Sequence, residues 1–264
     1  MPMYDVVNYK RLLNYLYKNY EFSFFKPLSS CKKRPKVILR HDIDYSLDCA
    51  LKMARIEHSF GVNTTYLVMV ATAFYNIFEK ENRAKLLEIR ELGHMIGLHS
   101  YIEPSIKRKN KAIEEKIIEE FEILRKCIPG AVPIISWHNP FCVLKKTDLV
   151  DGRFINAYSK KFTQNFLYFS DSNCRYNSTQ IIKLLGQRRE ADIQILIHPV
   201  IWMLQKNNIE EVLVAVFIEN CKRTERAFTM NKVWKEFFPK GLSEGFYAEL
   251  EAEFSDFLVK KGTS

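Results

Sequence analysis

Apolar and polar positions follow one another along this chain in two rhythms. Val6, Leu12, Leu13, Leu16 and Tyr17 recur at helical spacing, which predicts a helix over 5–19 with one apolar face. An extended stretch from Phe22 to Phe25 and a basic loop from Cys31 to Lys36 follow. Val37-Ile38-Leu39-Arg40-His41-Asp42 then reads as a buried strand, apolar and β-branched until it turns polar. Ser46 can cap the next helix. Cys49, Ala50, Met53, Ala54 and Ile56 supply its expected buried face, and Gly61 stops it. Thr64 to Val70 is a second buried strand.

The pattern repeats. A helix over about 81–92 ends at Gly93, and a strand over 95–98 leads into His99. A charged helix over about 111–127 precedes a strand over 134–138. Strands around 167–169 and 193–197 flank a helix near 179–186, and the second ends in His198-Pro199. From about 209 the chain reads as helical. Strands alternating with helices of this length predict the α/β class, built from parallel βαβ units. The chain shows no repeat, low-complexity tract or linker, so one domain over 1–264 is expected. Its core would span about 36–202, decorated by the helix at 5–19 and a helical segment over about 209–264.

Composition sets outer bounds. At 264 residues and 47% hydrophobic, the chain carries enough apolar material for a sizeable core. The N-terminal residues lack a basic stretch followed by an apolar one, so no secretory signal is expected. No apolar run reaches the roughly 18 residues of a membrane span. The six cysteines, Cys31, Cys49, Cys127, Cys142, Cys174 and Cys221, form no CxxC pair. They read as free thiols of a reducing compartment, which argues against cysteine-ligated zinc. A net charge of +9 could favour nucleic acid, anionic lipid or an acidic sugar. No basic run is interleaved with stacking aromatics, however, and basic runs such as Lys107-Arg108-Lys109 pass directly into Glu114-Glu115-Lys116, so no nucleic-acid partner is expected.

Candidate chemistry gathers at strand ends. Asp42 and Asp44, His99, His138 and His198 each stand where an expected strand finishes. In parallel α/β architectures those ends converge on one face, where active sites are built. Asp42 and Asp44 are two apart and so project to the same side of an extended strand. Two carboxylates placed together suit a division of labour, one binding a cation and one accepting a proton. His41 falls on the opposite side and is expected among the surrounding helices.

The ordered motifs Arg40-His41-Asp42-Ile43-Asp44, Gly93-His94-Met95-Ile96-Gly97-Leu98-His99, Ser136-Trp137-His138-Asn139-Pro140 and Ile197-His198-Pro199 resemble those of polysaccharide deacetylases with the NodB homology domain. They look most like the cytoplasmic branch associated with surface-polysaccharide (O-antigen-like) biosynthesis. The resemblance covers about 36–202 and takes in Ile56-Glu57 with Gly61, and Ser170-Asp171-Ser172. It implies a distorted (β/α) barrel of about seven parallel strands, a divalent metal (usually zinc) and hydrolysis of an N- or O-acetyl group on a sugar. The substrate would be a nucleotide-sugar or a lipid-linked glycan precursor in the cytoplasm. Asp42 would be the general base, Asp44 and His99 metal ligands and His198 the general acid. His138 stands where many relatives place an arginine that orients the base.

One position departs from the pattern. The second motif usually carries another histidine four residues after the first, and here that position is Glu103. Glu103 or His138 could complete the metal shell, or the site could be degenerate. A silent glycan- or partner-binding member and a hydrolase of non-sugar amides therefore stand as alternatives. Trp202 could stack on a sugar ring or pack in the core. Asp171 and Arg175 could contact substrate or pair with each other, and Trp137 should point into the helical layer.

Overall fold

The computed structural model describes residues 3–25, 34–103, 110–138, 152–242 and 244–262. Cys31, Cys142, Asn139-Pro140 and Lys107 to Lys109 lie outside the described residues. In chain order the first elements are α1 (Val6–Asn19), β1 (Glu21–Phe22), β2 (Lys36–Ile43), α2 (Leu47–Ser59), β3 (Thr65–Val68), α3 (Lys80–Glu91), β4 (Met95–Tyr101) and α4 (Asn110–Cys127). There follow β5 (Ile134–His138), β6 (Ile155–Asn156), α5 (Lys160–Thr163), β7 (Leu167–Ser170), α6 (Ser178–Gly186), β8 (Ile193–Ile197) and α7 (Pro199–Met203). Helices α8 (Ile209–Phe228), α9 (Lys232–Phe237) and α10 (Glu244–Gly262) complete the chain.

All eight residues of β2 are buried, as befits a strand covered on both faces of a parallel sheet. β8 pairs along one side of β2 from Val37 to His41, while on the other β1 meets Lys36 and Val37 and β3 takes over from Arg40. The sheet runs β6-β5-β4-β3-β2-β8-β7, every pairing parallel. Seven strands thus curl into the expected distorted (β/α) barrel. β6 and β7 stay as its unpaired edges among the described residues, and β7, half-buried throughout, shows the weaker cover of an edge.

Period-two alternation divides the strands between two apolar clusters. Val37, Leu39, Tyr66, Leu98, Ile135 and Ile195 face the helices in the larger one. Ile38, Leu67 and Ile134 meet Phe25, Phe162 and Phe166 inside the curl, closing its lower end. Gly97 lies where β4 passes β5. A Cβ there would stand 2.6 Å from the Ile134 carbonyl oxygen and 2.6 Å from Leu67 Cδ2, so only glycine lets the two strands approach.

The helices obey capping chemistry. Asp5 accepts from the Asn8 amide at 2.6 Å to start α1, and Ser46 accepts from the Cys49 amide at 3.2 Å to start α2. Two helix faces are phased differently from expectation. Tyr17 is 54% exposed, and Tyr9 joins Leu12, Leu13 and Leu16 in the core instead. On α2 it is Glu57 that is fully buried, while Ile56 is half-buried. Among the described cysteines, Cys49, Cys127, Cys174 and Cys221 are free. No helix among the described residues is long and apolar enough to cross a membrane.

Candidate active site

Above the apolar floor the inside of the barrel turns polar in layers. Arg40 comes first and is fully buried. Its Nη1 donates to Gln194 Oε1 at 3.0 Å, and its Cζ lies 4.2 Å from the centre of the Tyr158 ring. Asp42, one step up β2, is 1% exposed. Arg40 Nη2 stands 3.5 Å from Asp42 Oδ2, and Ser136 Oγ on β5 donates to Oδ1 at 3.0 Å. Both oxygens of this carboxylate are therefore held by neighbours.

Ser136 has only one hydroxyl proton. Given to Asp42, it leaves Ser136 Oγ to accept from His99 Nδ1 at 2.6 Å, which assigns the His99 tautomer from the network. In the neutral ring Nε2 then carries a bare lone pair. That atom is buried, makes no hydrogen bond among the described residues and lies 3.0 Å from Asp44 Oδ1. Two lone-pair atoms facing each other in a buried site repel unless a cation joins them. His138 Nδ1 stands 3.2 Å from the same Asp44 oxygen. One ligand atom each from Asp44, His99 and His138 falls within a 4.8 Å set, and an Asp/His/His donor set is chemistry that suits zinc or a similar divalent ion.

Electrostatics agree with an anionic Asp44. Burial would raise its pKa, but hydrogen bonds from His138 and from His99 when its Nε2 carries a proton in place of a cation, together with His198, outweigh that and hold it well below the usual carboxylate range. The Asp44 hydrogen bond in turn raises the pKa of His138.

His198 closes the far wall. Its Nδ1 meets Asp171 Oδ1 at 2.6 Å, and its Nε2 faces the pocket 3.8 Å from Asp44 Oδ2. Burial would lower the His198 pKa, yet the Asp171 carboxylate dominates and pushes it up to about 9. Asp171 is itself fully buried at the end of β7, where it also accepts from the His198 amide at 3.0 Å and from Trp202 Nε1 at 2.8 Å. Asp42, Asp44, His99, His138 and His198 all line one pocket, with Tyr45 and Asn173 on its rim.

The five residues read from strand ends thus come together. His138, open between a place beside the base and one in the metal shell, reaches Asp44, because it sits one level above Ser136, which already occupies Asp42. Glu103 is exposed and is not in the ligand set. Trp202 is fully buried, its ring 5.2 Å from that of Tyr4 and 5.6 Å from that of Tyr9, so it packs in the core and stacks on no sugar. Asp171 serves His198 and Trp202, while Arg175 is exposed with its guanidinium 5.5 Å from the Tyr176 ring, so the two do not pair. Trp137 is buried in the outer cluster as expected, and its Nε1 donates to Asn156 at 3.2 Å.

Sequence reasoning missed Ser136 and Glu57 as supports, while a pairing of Asp42 with Arg40 was open from the sequence as an alternative to a role in chemistry. The signal for Ser136 was present: it stands two before His138, as Arg40 stands two before Asp42, so each shares its neighbour's side of the strand. His41 does face the helices, where its Nε2 lies 2.7 Å from Glu57 Oε1. Tyr9, Tyr66 and Thr64 also donate to that carboxylate.

No family model matches the chain, and no curated protein matches it. Among solved structures, it is similar to a chitin deacetylase from Colletotrichum lindemuthianum, at 16% identity over 74% of this chain and 86% of that one, with a TM-score of 0.47. A family 4 carbohydrate esterase (CE4) pseudoenzyme from Bacillus anthracis shares 12% identity over 71% of this chain and 60% of that one, at a TM-score of 0.41. The catalytic domain of a peptidoglycan N-acetylglucosamine deacetylase from Eubacterium rectale shares 14% over 67% and 81%, at a TM-score of 0.39. At these identities and TM-scores the likenesses carry no argument about the chemistry of this chain.

Proposed function

We propose that this chain, acting as one domain, is a metal-dependent hydrolase that removes an acetyl group from a sugar. Its place would be the cytoplasm, on a nucleotide-sugar or lipid-linked glycan precursor of a surface polysaccharide, as the motif resemblance implies. The observation that carries the reading is the convergence of the buried His99 Nε2, 3.0 Å from Asp44 Oδ1, with His138 Nδ1, 3.2 Å from the same oxygen.

Asp44, His99 and His138 would hold the cation, and three protein ligands is the number a catalytic zinc site uses. Bound there, the cation would polarise the acyl carbonyl and acidify a water molecule. Asp42, held by Ser136 and Arg40, would accept the proton of the attacking water as general base. His198, whose pKa Asp171 raises, would present Nε2–H to the leaving amine or alcohol as general acid. Asp42 on β2 and His198 just past the end of β8 line the same pocket, so one substrate could reach both.

The test is acetate release from a panel of N- and O-acetylated sugars and nucleotide-sugars. Turnover should require added divalent metal and fall by about 10²–10⁴-fold in Asp42→Asn, the usual range for a general base. Undiminished activity in Asp42→Asn, or release from simple amides only, would sink the sugar-deacetylase reading.

A further inference from the structure

The C-terminal helices carry a surface that the chemistry above does not use. Helix α8 buries Val212, Val216 and Ile218, and α10 runs back along it: Tyr247 donates to Glu225, and the Phe254 ring lies 5.5 Å from that of Phe217. The antiparallel course carries the end of α10 toward the start of α8, away from Phe228. Past Phe228 the chain turns into α9 and leaves a run of large apolar side chains open. Met230 is 84% exposed, Val233 59% and Phe237 75%, with Phe228 and Phe238 also exposed. Trp234 is wedged between two of them, its ring 5.1 Å from that of Phe228 and 4.6 Å from that of Phe238, so the patch is a packed unit and no loose tail. Scattered exposed apolar residues need no account, but a contiguous protruding patch marks an interaction site.

Charge selects the partner. Between 222 and 240 the chain has six basic residues against two acidic ones. One of the two, Glu225, is engaged internally by Tyr247 and by the Leu242 amide. Arg226, Lys232, Lys235 and Lys240 are all exposed and alternate in sequence with the apolar residues. Protruding aromatics interleaved with lysine and arginine are the chemistry of a helix lying in a membrane interface, where apolar burial and attraction to anionic headgroups add. A second copy of this chain is the poorer occupant, because a two-fold contact would set the same basic residues against each other.

The location also has a consequence. Ile209, at the start of α8, lines the pocket. Near the other end of α8 Arg223 donates to the Phe74 carbonyl, and the Phe74 ring packs 4.7 Å from Tyr45, which lines the pocket too. Helix α8 therefore meets the pocket at its first residue and near its other end reaches Phe74, behind the pocket's Tyr45, and the patch follows that end. We infer that α9 and the end of α8 dock this protein on a membrane surface rich in anionic phospholipid, with the pocket opening beside it. The inference stands on the patch alone and holds whatever reaction the pocket performs.

The experiment is co-sedimentation of the full chain with vesicles of equimolar phosphatidylglycerol and phosphatidylcholine, against vesicles of phosphatidylcholine alone. Binding is expected to the anionic vesicles only and to weaken as salt is raised. Val233→Ser/Phe237→Ser and Lys232→Glu/Lys235→Glu should each weaken it by about tenfold or more, since both the apolar and the charged contributions are needed. These side chains are exposed, and far-UV circular dichroism should match the parent. Absence of binding to anionic vesicles, or equal binding by the parent and both variants, overturns the proposal. So does a concentration-dependent dimer in sedimentation velocity that the same variants abolish while vesicle binding persists.

Discussion

Glu57→Gln is the substitution that most sharply separates the support of the barrel from its chemistry. Two carboxylate oxygens, fully buried, serve four donors: Tyr9 and His41 on Oε1, Thr64 and Tyr66 on Oε2. They join α1, α2, β2 and β3 behind the strand that carries Asp42 and Asp44. In the glutamine variant one oxygen becomes an amide that donates. Two donors lose their acceptor, at about 1–3 kcal/mol for each buried group left unmade. Hydroxyl rotation recovers part of that, since Thr64 can turn to His94 Nδ1 at 3.1 Å. The net expectation is about 2–4 kcal/mol, which at about 2–4 °C per kcal/mol lowers Tm by roughly 4–16 °C. Urea titration and thermal melts followed by circular dichroism at pH 7 read it directly.

The pH series sharpens this prediction. Burial would raise the Glu57 pKa, but His41 and His94 outweigh it and hold it below its ordinary 4.5. A carboxylate depressed in the folded state stabilises above its unfolded pKa and loses that contribution as pH falls through its folded value. The gap between parent and variant should therefore be full at pH 7 and shrink once the pH drops below about 4. His94 adds a slope of its own: burial depresses its pKa below 6.5 against the opposing charge of Glu57, so stability falls as pH drops through 6.5, and more steeply in the variant, which lacks that charge. A variant within about 0.5 kcal/mol of the parent at pH 7, inside the usual spread of surface substitutions, would refute the network's role. So would a gap that stays undiminished in strong acid, well below the ordinary pKa of a glutamate.

Three further outcomes follow from the same geometry. Ser136→Ala removes the acceptor that fixes the His99 tautomer, and zinc affinity by calorimetric titration should fall about 10–100-fold, as for lost partners of ligating histidines. Gly97→Ala drives a Cβ into the Ile134 carbonyl, which cannot rotate away, and should cost about 1–3 kcal/mol in urea unfolding. Asp171→Asn removes the carboxylate that keeps His198 protonated, and NMR titration should find the His198 pKa below its value of about 9. Its turnover should drop by about 100-fold or more if His198 is the acid.

What could be read from the chain is uneven for physical reasons. β2, β3, β4, β5 and β8 were legible because a strand buried on both faces leaves a continuous apolar run that turns polar only where it ends, and the half-buried edge strand β7 was legible from its short aromatic run. Convergence of Asp42, Asp44, His99, His138 and His198 followed from parallel topology, which puts those ends on one face. β6 is only two residues long and leaves no periodicity to find. Glu57 was hidden because helical phase was taken from apolar residues, and a buried acid looks like a surface one until its four donors, on three other elements, are known. His138 was ambiguous for a different reason: its choice between Asp42 and Asp44 depends on the level at which β5 pairs with β4, with Ser136 opposite His99 and His138 opposite Tyr101. Trp202 and Asp171 each had an open role, and only the fold shows that they satisfy one another.

The central claim is that Asp44, His99 and His138 hold one divalent cation. Anomalous scattering at the zinc edge, from crystals of the protein equilibrated with zinc, tests it most directly. The account predicts one peak within bonding distance of all three side chains, about 2.0–2.2 Å from each ligand atom, and absent in His138→Ala crystals treated alike. A pocket without a peak, or a peak ligated by Glu103 with His138 turned away, would contradict it.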